Sequence, residues 1–211
     1  MGDTKLREQI CLMAKSLYDR GLAHGSTGNI SARLDDGGLL VTPTNSSFGF
    51  LDPARLSHFD KNGQLIGGDK PTKEMSLHQA FYDTRGAKAG AVVHLHSHHS
   101  VALSLFEDND RDDFLPPLTP YPIMKLGKVK LLPFFAPGDA AMGEAIRDLG
   151  GAHSAVMLAN HGPVVAGNDI ASTVYAMEEL EAAARLAIQT RGESVRALTN
   201  EQIRRLTSTV A

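Results

Sequence analysis

Leu6, Ile10, Met13 and Leu17 recur at helical spacing among charged residues, and Gly21 follows as a stop signal, so an amphipathic helix opens the chain. A Gly/Ser/Thr-rich loop over 24–29 leads into apolar runs at 30–34 and 39–42, separated by Asp36-Gly37-Gly38, which predict strand, turn and strand. Residues 43–49 form a polar loop, and 74–85 read as a helix with Met75, His78, Phe81 and Tyr82 on related faces. The short apolar run 91–95 predicts a buried strand that ends in a histidine-rich stretch. An acidic, Pro-rich segment over 107–122 predicts an irregular loop, long enough to suit function or an interface better than a bare connection. Beyond it the pattern predicts a strand at 129–133, a helix at 140–149 and strands at 155–158 and 163–166 around Asn160-His161-Gly162. A long helix at 170–190 and a short one at 200–206 complete the reading. Strands that come partly as close pairs and partly between helices predict a mixed or antiparallel sheet flanked by helices, not a parallel doubly wound one.

Composition narrows the class. A chain of 211 residues can bury a sizeable core and is expected to form one domain over 1–211. Its 42% hydrophobic and 21% charged residues are ordinary globular values, which argues against disorder. A net charge of −3 without a dense Lys/Arg block argues against nucleic acid or a membrane surface as partner. No segment approaches the roughly 20 apolar residues of a membrane span, and 1–15 does not have the apolar run of a signal peptide. Cys11, the single cysteine, stands at an apolar-periodic position and reads as core packing in a reducing compartment, so the cytoplasm is expected.

The candidate chemistry is carried by histidines. His94-Leu95-His96 sets two imidazoles on one side of an extended chain, where both can reach one metal ion. A third, His161, sits in a Gly-flanked turn, and three protein ligands with one position left open suit a catalytic divalent cation. His98 and His99 crowd the same turn, as outer groups or as the first turn of the next helix; His24, His58, His78 and His153 are assigned no functional role.

Three short stretches carry anion-binding residues. Gly28-Asn29 joins a permissive residue to an amide, Thr42, Thr44, Asn45, Ser46 and Ser47 crowd donors into one loop, and Lys70-Pro71-Thr72-Lys73 leads into a helix N-terminus. Each alone is ordinary turn chemistry; together they point to an anion site. Glu74 opens that helix, and a carboxylate beside a metal and an anion can serve as general acid/base.

Taken in order, Gly28-Asn29-Ile30-Ser31, Lys70-Pro71-Thr72-Lys73-Glu74, His94-Leu95-His96 and Asn160-His161-Gly162 resemble the class II aldolase/adducin family over nearly the whole chain. The resemblance implies a three-layer α/β/α sandwich with a mainly antiparallel central sheet, and a cyclic homotetramer with active sites at subunit interfaces. It also implies zinc, with Mn2+ or Co2+ as alternatives, on His94, His96 and His161. Glu74 would stand beside the metal as acid/base, and Gly28, Asn29, Thr42, Thr44, Asn45 and Thr72 would serve the substrate and its phosphate. Lys73 replaces an aldolase serine, and 44–50 replaces an aldolase Ser-Gly pair. Thr42-Pro43-Thr44-Asn45-Ser46-Ser47-Phe48 and 68–74 are similar to the family's 3-oxo-tetronate 4-phosphate decarboxylases, which implies release of carbon dioxide through a metal-stabilised enediolate to leave dihydroxyacetone phosphate. Lys73 would then meet the anionic end of a small phosphorylated sugar acid. The alternatives are a sugar-phosphate aldolase, a pentulose-phosphate 4-epimerase, and a non-catalytic adducin-like module, for which the retained histidines are unfavourable. Tyr121, Tyr175 and the C-terminal helix are candidates to cross between subunits.

Overall fold

The structure, a computed structural model, describes residues 2–208. The expected domain span of 1–211 therefore includes Met1 and 209–211, which lie outside the described residues. Helix α1 (Asp3–Asp19) buries Leu6, Ile10, Ala14 and Leu17, one turn apart, and each large side chain so removed from water contributes about 1.5–3 kcal/mol. Eight strands follow along the chain: β1 (Asn29–Arg33), β2 (Leu39–Val41), β3 (Ser57–Phe59), β4 (Leu65–Gly67), β5 (Ala91–His94), β6 (Lys130–Leu132), β7 (Ala155–Leu158) and β8 (Gly162–Gly167). They form one sheet in the order β4-β3-β2-β1-β5-β8-β7-β6. Only β6 and β7 pair in parallel; the other neighbours are antiparallel.

The remaining helices are α2 (Met75–Arg85), α3 (His98–Ser104), α4 (Pro120–Leu126), α5 (Ala141–Arg147), α6 (Ile170–Gln189) and α7 (Asn200–Ser208). Strand alternation divides the interior in two. Ile30, Ala32, Ala91, Val93, Met157 and Val165 join α1 and α6 on one sheet face. Val92, Val156, Leu158, Val164 and Ala166 join α2 and α5 on the other. The three-layer sandwich with a mainly antiparallel sheet is thus present.

Three elements go beyond the sequence reading. The β3 and β4 strands are three residues each, and all of β4 is exposed, so no apolar alternation marks them. Helix α4 begins inside the stretch expected to be irregular, because Pro120 occupies the first helical turn, where a missing N–H costs nothing. The chain from 107 to 119 is irregular as expected.

Strand β5 lies between β1 and β8, and its last residue, His94, faces Asn29 on one side and Val164 on the other. Facing residues in such a ladder set their Cβ atoms about 4.5–5.5 Å apart, so the register alone brings Asn29 beside the histidine. Two glycines allow the close approach. A Cβ at Gly28 (φ +83) would lie 2.9 Å from the His94 carbonyl oxygen, and one at Gly162 would lie 2.0 Å from that of Leu95. Gly162→Ala must push β8 away from the end of β5. Urea unfolding is expected to show a loss of about 2–4 kcal/mol; wild-type stability would mean that the two strands part there freely.

Candidate metal centre

Each histidine reaches the site from the end of an element. His94 closes β5, and His96 follows two residues later in chain that is still extended but outside the strand. The pair converges as the sequence spacing predicts, although only His94 is a strand residue. His161 sits in the tight turn between β7 and β8, after Asn160 in the left-handed region (φ 59), whose N–H donates to Ser104 Oγ at 3.0 Å. Glu74 precedes α2 at its N-cap, yet its side chain caps nothing and turns inward.

The four side chains meet at one place. His94 Nε2 and His96 Nε2 are 3.1 Å apart, Glu74 Oε1 is 3.3 Å from His161 Nε2, and Glu74 Oε2 is 3.5 Å from His94 Nε2. All four ligand atoms lie within 4.8 Å of one another. His94 Nδ1–H donates to the Pro163 carbonyl at 2.9 Å, which leaves Nε2 as a bare lone pair aimed at His96. Glu74 Oε1 and both ring nitrogens of His161 are buried without a hydrogen-bond partner. Of these, Glu74 Oε1 and His161 Nε2 face each other at 3.3 Å, a separation that fits two ligands of a tetrahedral cation, since ligands about 2.0–2.1 Å from zinc stand roughly 3.3 Å from each other. The donor set, three imidazoles and a carboxylate, chelates a divalent ion.

Electrostatics favour the metal-ready protonation states. Burial lowers His94 to about 3, with His96 and His161 adding to the effect against Glu74. Burial and His161 lower His96 to about 4. Burial opposes the charge on Glu74, but His161, the nearby His94 and the Asn29 amide outweigh it and hold the carboxyl well below the usual range.

A second set of polar groups lies behind the first. Asn29 Nδ2 donates to Glu74 Oε2 at 2.7 Å, and Asn29 Oδ1 is 2.5 Å from His78 Nε2. Ser31 Oγ is 2.7 Å from His78 Nδ1 and 2.7 Å from the Tyr82 hydroxyl. All four residues are buried. Sequence reading placed Asn29 in the site and passed over Ser31, His78 and Tyr82. The available signal was polar residues two apart on a strand (29, 31) and four apart on a helix (74, 78, 82).

The other expected residues are distributed around this centre. Thr72 Oγ1 accepts the Glu74 N–H at 3.2 Å, and Thr42 Oγ1 accepts the Ile30 N–H at 3.0 Å, so both brace the residues beside the cluster. Gly28 lies against the His94 carbonyl, and Lys73 is exposed at the start of α2. Thr44 donates its N–H to the Lys70 carbonyl, tying two of the expected anion loops together. Thr44 and Asn45 border a cleft of about 220 Å³ with Ser46, Ser47, Arg55 and Asp69, which no histidine lines. His98 and His99 begin α3 outside the cluster: His98 stacks on His24 with centroids 4.9 Å apart, and His99 Nδ1 lies 2.9 Å from Glu181.

Comparison with known proteins agrees with this arrangement. The family model described as the class II aldolase and adducin N-terminal domain matches residues 8–188. A 3-oxo-tetronate 4-phosphate decarboxylase of Cupriavidus necator is 47% identical over 184 residues, covering 87% of this chain and 84% of its own. One of Escherichia coli K12 is 42% identical over 206 residues, covering 98% and 97%. The crystal structure of YgbL, a putative aldolase/epimerase/decarboxylase from Escherichia coli, superposes with a TM-score of 0.94 at 41% identity, covering 97% of this chain and 99% of that one. With its three-layer fold, its clustered histidines and these matches taken together, the chain belongs to the class II aldolase and adducin family.

Proposed function

We propose that this protein is a metal-dependent carboxy-lyase that converts a 3-oxo-tetronate 4-phosphate into dihydroxyacetone phosphate and carbon dioxide. The observation that carries the reading is the meeting of three imidazoles and an ionised Glu74 within 4.8 Å, in a chain 40–47% identical to decarboxylases of that name. His94, His96 and His161 would hold the cation through Nε2, with Glu74 beside it; zinc is the proposed ion, manganese and cobalt the alternatives. When bound, such an ion supplies an electrophile for the substrate's C3 ketone and so stabilises the enediolate left when the C1–C2 bond breaks.

The chain's own residues supply the rest. Glu74 rests ionised, takes up one proton from solvent and passes it to C2 after carbon dioxide has left, which returns its carboxylate to the ionised state. Gly28, Asn29, Thr42, Thr44, Asn45 and Thr72 are proposed to hold the substrate and its phosphate. The Thr42 and Thr72 hydroxyls accept from backbone N–H groups and so keep their own protons to donate. Asn29 has one amide hydrogen beyond the one given to Glu74. Lys73, exposed beside Glu74 at the start of α2, adds a point charge for the substrate's anionic end.

One domain over 1–211 and a homotetramer with active sites at subunit interfaces belong to the same proposal. Exposed Tyr121 and Tyr175, and α7 with no buried residue, offer surface for such contacts. No helix among the described residues is long and apolar enough to cross a membrane. The half-buried lone thiol, raised to about 11 by burial and Asp52, suits the proposed reducing cytoplasm.

Zinc-loaded protein given freshly made 3-oxo-tetronate 4-phosphate is expected to release carbon dioxide and dihydroxyacetone phosphate in equal amounts. Glu74→Gln should lower kcat by roughly 100-fold or more. If neither product forms while metal is bound, the decarboxylase reading falls and the aldolase or epimerase reading takes its place. Lys73→Ala should raise KM about tenfold at unchanged zinc content, and an unchanged KM would remove Lys73 from the substrate's contacts. Because the folded pKa values of His94 and His96 lie at about 3 and about 4, below the ordinary 6.5, protons compete with the metal only in acid. In zinc-free protein carrying 15N-labelled histidine, the ring nitrogen shifts of His94 and His96 should therefore stay those of neutral imidazoles from about pH 8 to about pH 5, with proton competition for the metal at these two ligands only below that. Protonation of either ring already under way at about pH 6.5 would indicate an ordinary, solvated imidazole at that position.

A further inference from the structure

We infer that His78 is a positioning residue for Glu74, acting through Asn29 in a one-way chain of hydrogen bonds that begins at Tyr82. The chain interleaves two elements. Asn29 and Ser31 are two apart on β1, while Glu74, His78 and Tyr82 are four apart along α2. Two strand residues advance about 6.6 Å and four helical residues about 6 Å, so polar stripes of these two periods stay in step. The contacts alternate between strand and helix: Glu74 to Asn29 at 2.7 Å, Asn29 to His78 at 2.5 Å, His78 to Ser31 at 2.7 Å, Ser31 to Tyr82 at 2.7 Å.

The direction of each bond is fixed from the Glu74 end. An ionised carboxylate only accepts, so the Asn29 NH2 group must face it; the reverse amide would set a carbonyl oxygen against the carboxylate. Asn29 Oδ1 is then turned toward His78 and requires an N–H, so the neutral imidazole carries its proton on Nε2. Nδ1 must accept, which makes Ser31 Oγ–H the donor, and Ser31 Oγ in turn accepts from the Tyr82 hydroxyl. Burial supports the neutral ring by lowering His78 to about 3. The far end is anchored by Arg33, whose guanidinium lies 4.7 Å over the Tyr82 ring and donates to the Tyr82 carbonyl at 3.1 Å.

The His78 ring bonds Asn29 and Ser31 and is not one of the four residues of the cluster, yet it selects the amide orientation that presents an N–H to Glu74. Without it the Asn29 amide can turn over, and Glu74 is repelled from the place where it would meet substrate. This role rests on the reading of Glu74 as the proton relay.

The test joins a tautomer measurement to kinetics. In protein carrying 15N-labelled histidine, with His78→Gln to assign the signal, ring nitrogen shifts should show His78 as the neutral Nε2–H tautomer, with and without zinc. An Nδ1–H or doubly protonated ring overturns the inference. His78→Leu should lower kcat about 10- to 100-fold at unchanged KM and zinc content, as loss of an outer partner does. His78→Gln, which restores a donor toward Asn29, should recover most of that loss. Tyr82→Phe and Ser31→Ala, which delete single hydroxyls, serve if His78→Leu does not fold by thermal unfolding, and should lower kcat in the same direction. Undiminished kcat in the folded variants, no recovery in His78→Gln, or a loss carried by KM or zinc content overturns the inference. Failure of the decarboxylase reading would look different: wild-type protein would release no carbon dioxide while the tautomer result stood.

Discussion

The molecule is organised around an electrostatic constraint, four lone-pair atoms held face to face where water has little access. Nε2 of His94, His96 and His161 and the Glu74 carboxylate all point at one small space, and two of the buried atoms there, Glu74 Oε1 and His161 Nε2, have no hydrogen-bond partner. A buried polar atom left unsatisfied costs about 1–3 kcal/mol, so the arrangement is unfavourable until a cation lies among them. The same burial that makes the site costly keeps His94 and His96 neutral and their lone pairs free. Cation affinity and the strain of the cluster are two aspects of one geometry.

The sheet holds that geometry in place. In the middle of the sheet, β5 is fixed by antiparallel ladders to β1 and β8, and the register sets His94 level with Asn29 and with the strand that His161 introduces. Gly28 and Gly162 leave the clearance that a Cβ would fill. The two faces of β1 then do different work. Ile30 and Ala32 pack in the apolar core with α1, while Asn29 and Ser31 form a polar seam with α2. A buried polar seam is tolerated because each of its groups has a partner, and such a fully bonded network resists rearrangement.

Aldolase and decarboxylase relatives share this architecture, and the shared logic is chemical. Retro-aldol cleavage and loss of carbon dioxide both leave an electron pair next to a ketone, so one electrophile and one proton relay serve either. What a given site accepts then depends on its outer contacts. Exposed Lys73, next to Glu74 in the chain, and the 44–50 loop are the proposed outer contacts of this site.

Much of this was legible in the residues themselves. Helical spacing marked α1, alternation and turn chemistry marked β1 and β2, and His94, His96, His161 and Glu74 stood out because metal chemistry requires those residue types near particular turns. Such features are local, arising from backbone periodicity and from side-chain chemistry that does not depend on neighbours. The β3–β4 hairpin and α4 escaped because three exposed strand residues and a Pro-led helix carry no periodic apolar signal. His78 escaped for a different reason: a lone histidine on a helix acquires meaning only when strand residues 47 and 49 positions away in sequence lie against it in matching register. The sequence by itself determined the ligand types and the elements that carry them. Only the tertiary structure decided which polar groups share hydrogen bonds, because strand register and helix docking are set by packing of the whole sheet.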